Sequence, residues 1–142
     1  MTRYLGDSWM LPGTDALTKR FFTAGRLVFQ QCAKCGFVQH PPTDVCGECQ
    51  SFAFTERASE GLGRIESLTV AHYAVHPALK DRVPYVVVLV SLEDVPGVRV
   101  IGNVLNRPPA EVRVGQRVRV CFEEAKDPQS GELLRIPQWE VI

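Results

Sequence analysis

The chain has 142 residues, with 45% hydrophobic and 23% charged side chains, the ordinary balance of a globular protein of one or two small domains. Its 16 Lys and Arg are offset by 16 Asp and Glu, whereas a protein gripping bare nucleic acid carries a basic excess to displace counterions, so the charge balance argues against nucleic acid as a partner. No stretch approaches the ~18 consecutive apolar residues of a membrane helix, and Gly6, Asp7 and Ser8 interrupt any secretory core at the N-terminus.

These features place the chain in the cytoplasm, where thiols stay reduced. Residues 1–13 show no period but carry Tyr4, Trp9, Met10 and Leu11. Such an arm either tucks onto its own domain or docks on another subunit. Thr14 or Asp15 then caps a short helix with Leu17, Phe21 and Ala24 on one face, and Gly25 stops it. Residues 1–25 thus form an arm and helix.

Residues 26–60 read as short β pieces around cysteines: 27–31, 37–40 and 52–58, the last with Phe52 and Phe54 on one face. Ser59–Gly63 is a hinge by composition. Residues 61–142 are β throughout, with strands over 64–73, 85–92, 98–105, 117–124 and 133–142 separated by turn signals. Five short strands predict a partly open five-stranded OB-fold barrel, so the class is mainly β. Gly102 marks a bulge or tight bend, and Pro137 belongs at an edge or bulge. The run PYVVVLVSL, residues 84–92, is nearly continuous apolar sequence, as in a strand covered on both faces. A small barrel reaches that state when another subunit covers its outer face.

The chemistry lies in C-x2-C-x10-C-x2-C, formed by Cys32, Cys35, Cys46 and Cys49. Tetrahedral zinc needs two close thiolate pairs, each folded into a tight knuckle. Gly36 follows the first pair and Gly47 sits inside the second, both suited to the positive φ of such turns. The prediction is one structural Zn2+ per chain, which supplies folding energy to a module too small for its own core. A rubredoxin-type iron site and two dithiol pairs share the spacing. Four cysteines leave no water position, so the metal is not catalytic.

Cys121, in a valine-rich strand, reads as an inert thiol. His40 sits beside the ribbon, in a supporting or surface role, and His72 and His76 read as loop histidines without a nucleophile or acid partner. Lys80, Arg82 and Tyr85 share that loop, as solvated groups or as a phosphate-friendly rim.

GRLVFQQC, CGFVQHPPTDVCGEC, HYAVHPALKDRVPYVVVLVSLED, IGNV and VRVGQRVRVCFEE together resemble the zinc-ribbon/OB-fold family once catalogued as a domain of unknown function, over about residues 15–141. The resemblance implies a rubredoxin-like zinc ribbon followed by an OB fold. It also implies a non-catalytic partner of acyl-CoA enzymes, in a hetero-oligomer with a thiolase or a thiolase-like lipid-transfer-protein aldolase. An aldolase cleaving a steroid-type side chain is the favoured form. A CoA thioester would then lie at the shared site, with Lys80 and Arg82 near its phosphates and Tyr4, Trp9, Met10 and Leu11 at the partner interface. The alternatives are a partner of a MaoC-like enoyl-CoA hydratase and a single-stranded nucleic-acid binder, which needs a basic, aromatic-lined groove.

Overall fold

Asp15 starts the ordered entry into the fold. In the computed structural model, which describes Gly6 and residues 9–142, its Oδ1 accepts the amides of Leu17 and Thr18 at 2.9 Å each. This satisfies donors that a helix start leaves orphaned. The helix itself, α1 (Lys19–Thr23), is shorter than its apolar face suggests, because residues 16–18 form an irregular turn. Gly25, at φ +73°, ends it. Five residues cannot sustain a helix alone. α1 is held by packing on the last strand and by Phe21, whose ring lies 6.2 Å from that of Phe29.

The ribbon is an antiparallel sheet of β1 (Val28–Cys32), β2 (Val38–Gln39) and β3 (Phe54–Ala58), in the order β2-β1-β3. Pairing of Cys32 with Phe54 sets its register. Phe52, expected inside the third strand, lies before the pairing begins and is 77% exposed. The following segment is no free hinge. Asp94 accepts Ser59 Oγ–H and Glu60 N–H, both at 2.7 Å, which fastens the ribbon's exit to the second sheet.

That sheet comprises β4 (Leu62–Ala71), β5 (Tyr85–Leu92), β6 (Arg99–Gly102), β7 (Arg117–Lys126) and β8 (Leu133–Val141), in the order β6-β5-β4-β7-β8. A parallel bridge from Val104 to Trp139 joins the two ends, with Leu105 N–H donating to Trp139 O at 2.9 Å. The circuit is that of an OB barrel. The register shift lies at Ile65/Ser67 in β4, not at Gly102. Gly102 instead serves close approach, since a Cβ there would stand 2.9 Å from Trp139 Cδ1. Pro137 lies in β8, at the end of the strand order, as expected.

Leu27 and Phe29 of the ribbon share one core with Val86, Val88, Val90 and Trp139 of the barrel. β5 alternates instead of being buried on both faces: Val86, Val88, Val90 and Leu92 point inward, while Tyr85, Val87, Leu89 and Ser91 are half-covered. Its outer face is partly roofed by this chain's own helix and arm. No helix among the described residues is long and apolar enough to cross a membrane.

Candidate metal centre and the adjoining cavity

β1 delivers Cys32 at its last residue, and the chain then turns back on it. The amides of Lys34 and Cys35 both donate to Cys32 Sγ at 3.4 Å, and Gly36 N–H closes on Cys32 O at 3.0 Å. The second knuckle repeats the pattern: Glu48 N–H donates to Cys46 Sγ at 3.4 Å and Gln50 N–H to Cys46 O at 3.0 Å. In each knuckle the residue after the second cysteine takes a left-handed φ, +79° at Gly36 and +61° at Gln50. Gly47 does not. Its N–H donates to Gln39 Oε1 at 3.0 Å, which ties the second knuckle to β2.

Amides aimed at sulfur favour the thiolate. The Cys35 amide foremost holds the Cys32 thiol down to about 6, and the Cys49 amide lowers Cys46 in the same way. The four Sγ atoms lie within 4.8 Å of one another, with Cys32–Cys49 and Cys35–Cys46 at 3.6 Å. Four sulfurs at zinc-bond length form a tetrahedron with edges of about 3.8 Å. The donor set therefore fits one tetrahedral, thiophilic ion, held by Cys32, Cys35, Cys46 and Cys49 and closed to water.

The other candidates divide. His40 is neither a supporting group for the sulfurs nor a surface group. Its ring lies tilted 4.6 Å from that of Phe21 and edge-on 5.2 Å from that of Phe29, and burial lowers its pKa to about 4, leaving a neutral imidazole. Cys121 is half-buried, and burial, aided by Glu140 and Glu123, raises its thiol to about 12. His76 Nδ1 accepts Ala78 N–H at 3.1 Å to cap a 3-10 turn, and Trp9 meets the ring edge-on at 5.8 Å. Among the described residues no hydroxyl or carboxylate bonds to His72 or His76.

Lys80 and Arg82 are exposed beside that turn and make no ion pair among the described residues. Arg82 and Trp9 border one small recess with Tyr85 and Asn103, so the loop and the arm do come together. Leu11 is half-buried on the chain's own surface and Met10 exposed, while Tyr4 lies outside the described residues.

One feature escaped the sequence reading. A cavity of about 540 Å³ separates the arm and α1 from the outer face of β5, β6 and β8, with Trp9, Phe21, Phe22, Val87, Ile101 and Ile136 among its walls. A polar network underlies it. Gln138 Nε2 donates to Glu123 Oε1 at 2.8 Å and to Asn103 Oδ1 at 3.2 Å, and Gln138 Oε1 accepts Asn103 N–H at 2.6 Å. Glu123 and Gln138 are each 2% exposed. Outward strand positions normally meet water, so their polar residues gave no sign of burial under an arm.

A four-cysteine ribbon running into an OB barrel defines the chain as a zinc-ribbon/OB-fold protein. It belongs to the DUF35 family: the "DUF35 domain-containing scaffold protein" of Methanothermobacter thermautotrophicus is 31% identical over 102 residues, 71% of this chain and 74% of that protein. Residues 23–55 match the domain described as "ChsH2, rubredoxin-like zinc ribbon domain", and residues 56–123 match "ChsH2, C-terminal OB-fold domain".

A chain of the structure described as "Ltp2-ChsH2(DUF35) aldolase" superposes with a TM-score of 0.77 at 34% identity, covering 92% of this chain and 98% of that one. The "Probable enoyl-CoA hydratase alpha subunit" of Thermomonospora curvata is 38% identical over 104 residues, 73% of this chain and 31% of that protein. The "3-oxo-4,17-pregnadiene-20-carboxyl-CoA hydratase alpha subunit" of Mycobacterium tuberculosis is 32% identical over 124 residues, 85% of this chain and 38% of that protein. This chain therefore spans about a third of the length of those hydratase subunits.

Proposed function

We propose that this chain is a non-catalytic accessory subunit of a thiolase-superfamily enzyme acting on acyl-CoA, of the aldolase kind that cleaves a steroid-type side chain. The likeness to a chain of the Ltp2-ChsH2(DUF35) aldolase, over nearly the whole length of both, carries this reading. The chemistry agrees with it. The metal's donors are all thiolates, Cys121 is held as a thiol, and neither loop histidine bonds a nucleophile among the described residues. The larger partner supplies the acid, base or nucleophile. This chain lines the entrance, with Lys80 and Arg82 toward the CoA phosphates and the arm residues Tyr4, Trp9, Met10 and Leu11 on the partner. Residues 1–25, 26–60 and 61–142 act as arm and helix, ribbon and OB domain.

A MaoC-like enoyl-CoA hydratase is the second partner to consider, because the curated relatives include hydratase alpha subunits. The test is co-expression with each class of partner, followed by gel filtration and a retro-aldol assay on a hydroxyacyl-CoA. A stable complex with the thiolase-like protein, active only when both chains are present, is the expected result. A chain that stays monomeric beside every such protein, or cleaves acyl-CoA unaided, overturns the reading.

A further inference from the structure

The cavity under the arm has a composition that selects a ligand. About 540 Å³ falls within the range of small-molecule sites, roughly 300–1,000 Å³. Among the described residues its lining includes no Lys, Arg, Asp or Glu, whereas the neighbouring cavity against the β7–β8 turn contains Lys126 and Asp127. His40, which lines one side, is a neutral imidazole because burial disfavours its cation. An anionic headgroup placed here would meet no counter-charge among the described lining residues, and desolvating it unpaired is costly.

The polar floor is equally specific. All of Gln138's amide capacity that faces the network is used: two N–H donors go to Glu123 and Asn103, and its oxygen accepts Asn103 N–H. Gln138 is therefore a positioning residue. Asn103 Nδ2 gives one hydrogen to Val86 O at 2.7 Å. A primary amide carries two, and the second has no partner among the described residues. Asn103 is half-buried and lines the cavity, so it offers a fixed donor in a mostly apolar chamber whose other polar side chains are Trp9, Thr18, His40, Tyr85 and Gln138.

We propose that this cavity binds a neutral, largely hydrocarbon molecule carrying a carbonyl group, whose oxygen accepts from Asn103 Nδ2 while its hydrocarbon part fills the space between Phe22, Val87, Ile101 and Ile136. The inference is independent of the partner reading, because it concerns the chain alone.

The test is titration of the zinc-loaded full chain with Nile red, followed by displacement with methyl laurate, laurate and coenzyme A. Saturable binding of one dye per chain is expected, with methyl laurate displacing it at least about tenfold better than laurate, which differs in its charged head. Ile101 is 65% exposed at the rim, so Ile101→Glu should leave melting unchanged and weaken binding about tenfold by placing a carboxylate on the wall. Val114→Glu, at an exposed position outside the cavity, should leave binding unchanged. The proposal is overturned if no dye binds saturably, if laurate or coenzyme A competes better, or if Ile101→Glu binds as well as the wild type. It is also overturned if the isolated chain takes no dye while Ile101→Glu disrupts a partner complex. The cavity would then be a socket for the partner's side chains.

Discussion

Gly102 and Trp139 meet where β6 passes the end of β8: a methyl group on Gly102 would stand 2.9 Å from Cδ1 and 3.0 Å from Nε1 of the indole. The ring is 0% exposed, and its backbone is held from both sides, by Trp139 N–H donating to Asn103 O and Leu105 N–H donating to Trp139 O, each at 2.9 Å. It has nowhere to retreat. Gly102→Ala should therefore act as an overpacking mutation and cost about 1–3 kcal/mol. That corresponds to a fall of roughly 3–10 °C in Tm. A Tm within about 1 °C of wild type would show that the junction yields more easily than its geometry implies.

The same glycine marks where sequence reasoning stops. Its presence signalled a special position, but a bend and a close approach leave the same mark, and the ring it approaches is 37 residues away. The real bulge, at Ile65/Ser67, carries no glycine or proline. Strand content was legible because β-branched runs and turn residues are local, and β5 was placed residue for residue at Tyr85–Leu92. The cysteine ligands were legible because knuckle geometry fixes spacing. Gln50 was not, since only the turn's own closure forces its positive φ. The cavity was hidden for a third reason. It is made by the arm and α1 folding over strand faces whose polar residues read as solvent-facing.

Metal content is the direct check on the ribbon. Purified chain should carry close to one zinc, and Cys32→Ser or Cys49→Ser should abolish soluble expression. Each removes a thiolate from a closed donor set on which a small ribbon depends for folding. Chelation should unfold the ribbon, read as loss of protection of β1 amides from hydrogen exchange. A well-folded, metal-free wild type would end the structural-zinc assignment.

His40 gives the fold a defined acid sensitivity. Its pKa is about 4 in the folded state because burial opposes the cation, against ~6.5 when unfolded. The unfolded chain therefore binds the proton first. The stability contributed by burying the neutral ring is fully present above pH ~6.5 and is lost progressively as pH falls toward about 4. The full loss is on the order of 3 kcal/mol. His40→Phe keeps the contacts with Phe21 and Phe29 without a titrating group, so its urea midpoint should change less between pH 7 and pH 5 than that of wild type. Thiolate protonation affects both proteins alike. Parallel pH profiles for the two would refute the assignment.

Cys121 should behave as packing. A thiol held at about 12 by burial, with Glu140 and Glu123 adding to it, presents about a thousandth of the thiolate of a free cysteine near neutral pH. Alkylation of the zinc-loaded native chain should accordingly be slow, and Cys121→Ser should keep zinc, complex formation and turnover, with a modest loss of stability. If turnover alone disappeared, the residue would have to be reassigned as a nucleophile.

The last prediction tests Lys80 and Arg82 within the proposed complex. Both are exposed and make no ion pair among the described residues, so replacing them should not disturb the fold. They stand by the 3-10 turn Pro77–Leu79, on the loop that also packs His76 against Trp9 of the arm, which places two cations where the arm meets the barrel. If they meet the phosphates of a CoA thioester, they act far from the reacting bond and bind ground state and transition state alike. Loss of such uniform binding raises KM and leaves kcat nearly unchanged. Lys80→Glu with Arg82→Glu should therefore raise the apparent KM roughly 5- to 30-fold, an effect limited by the modest worth of solvent-exposed charge pairs. The wild-type KM should rise with salt as screening shortens the reach of both cations, and the charge-reversed protein should lose that dependence. A KM that does not move removes the phosphate contact while leaving the partner reading intact. A fall in kcat at constant KM would instead assign the loop to closure over the partner's active site.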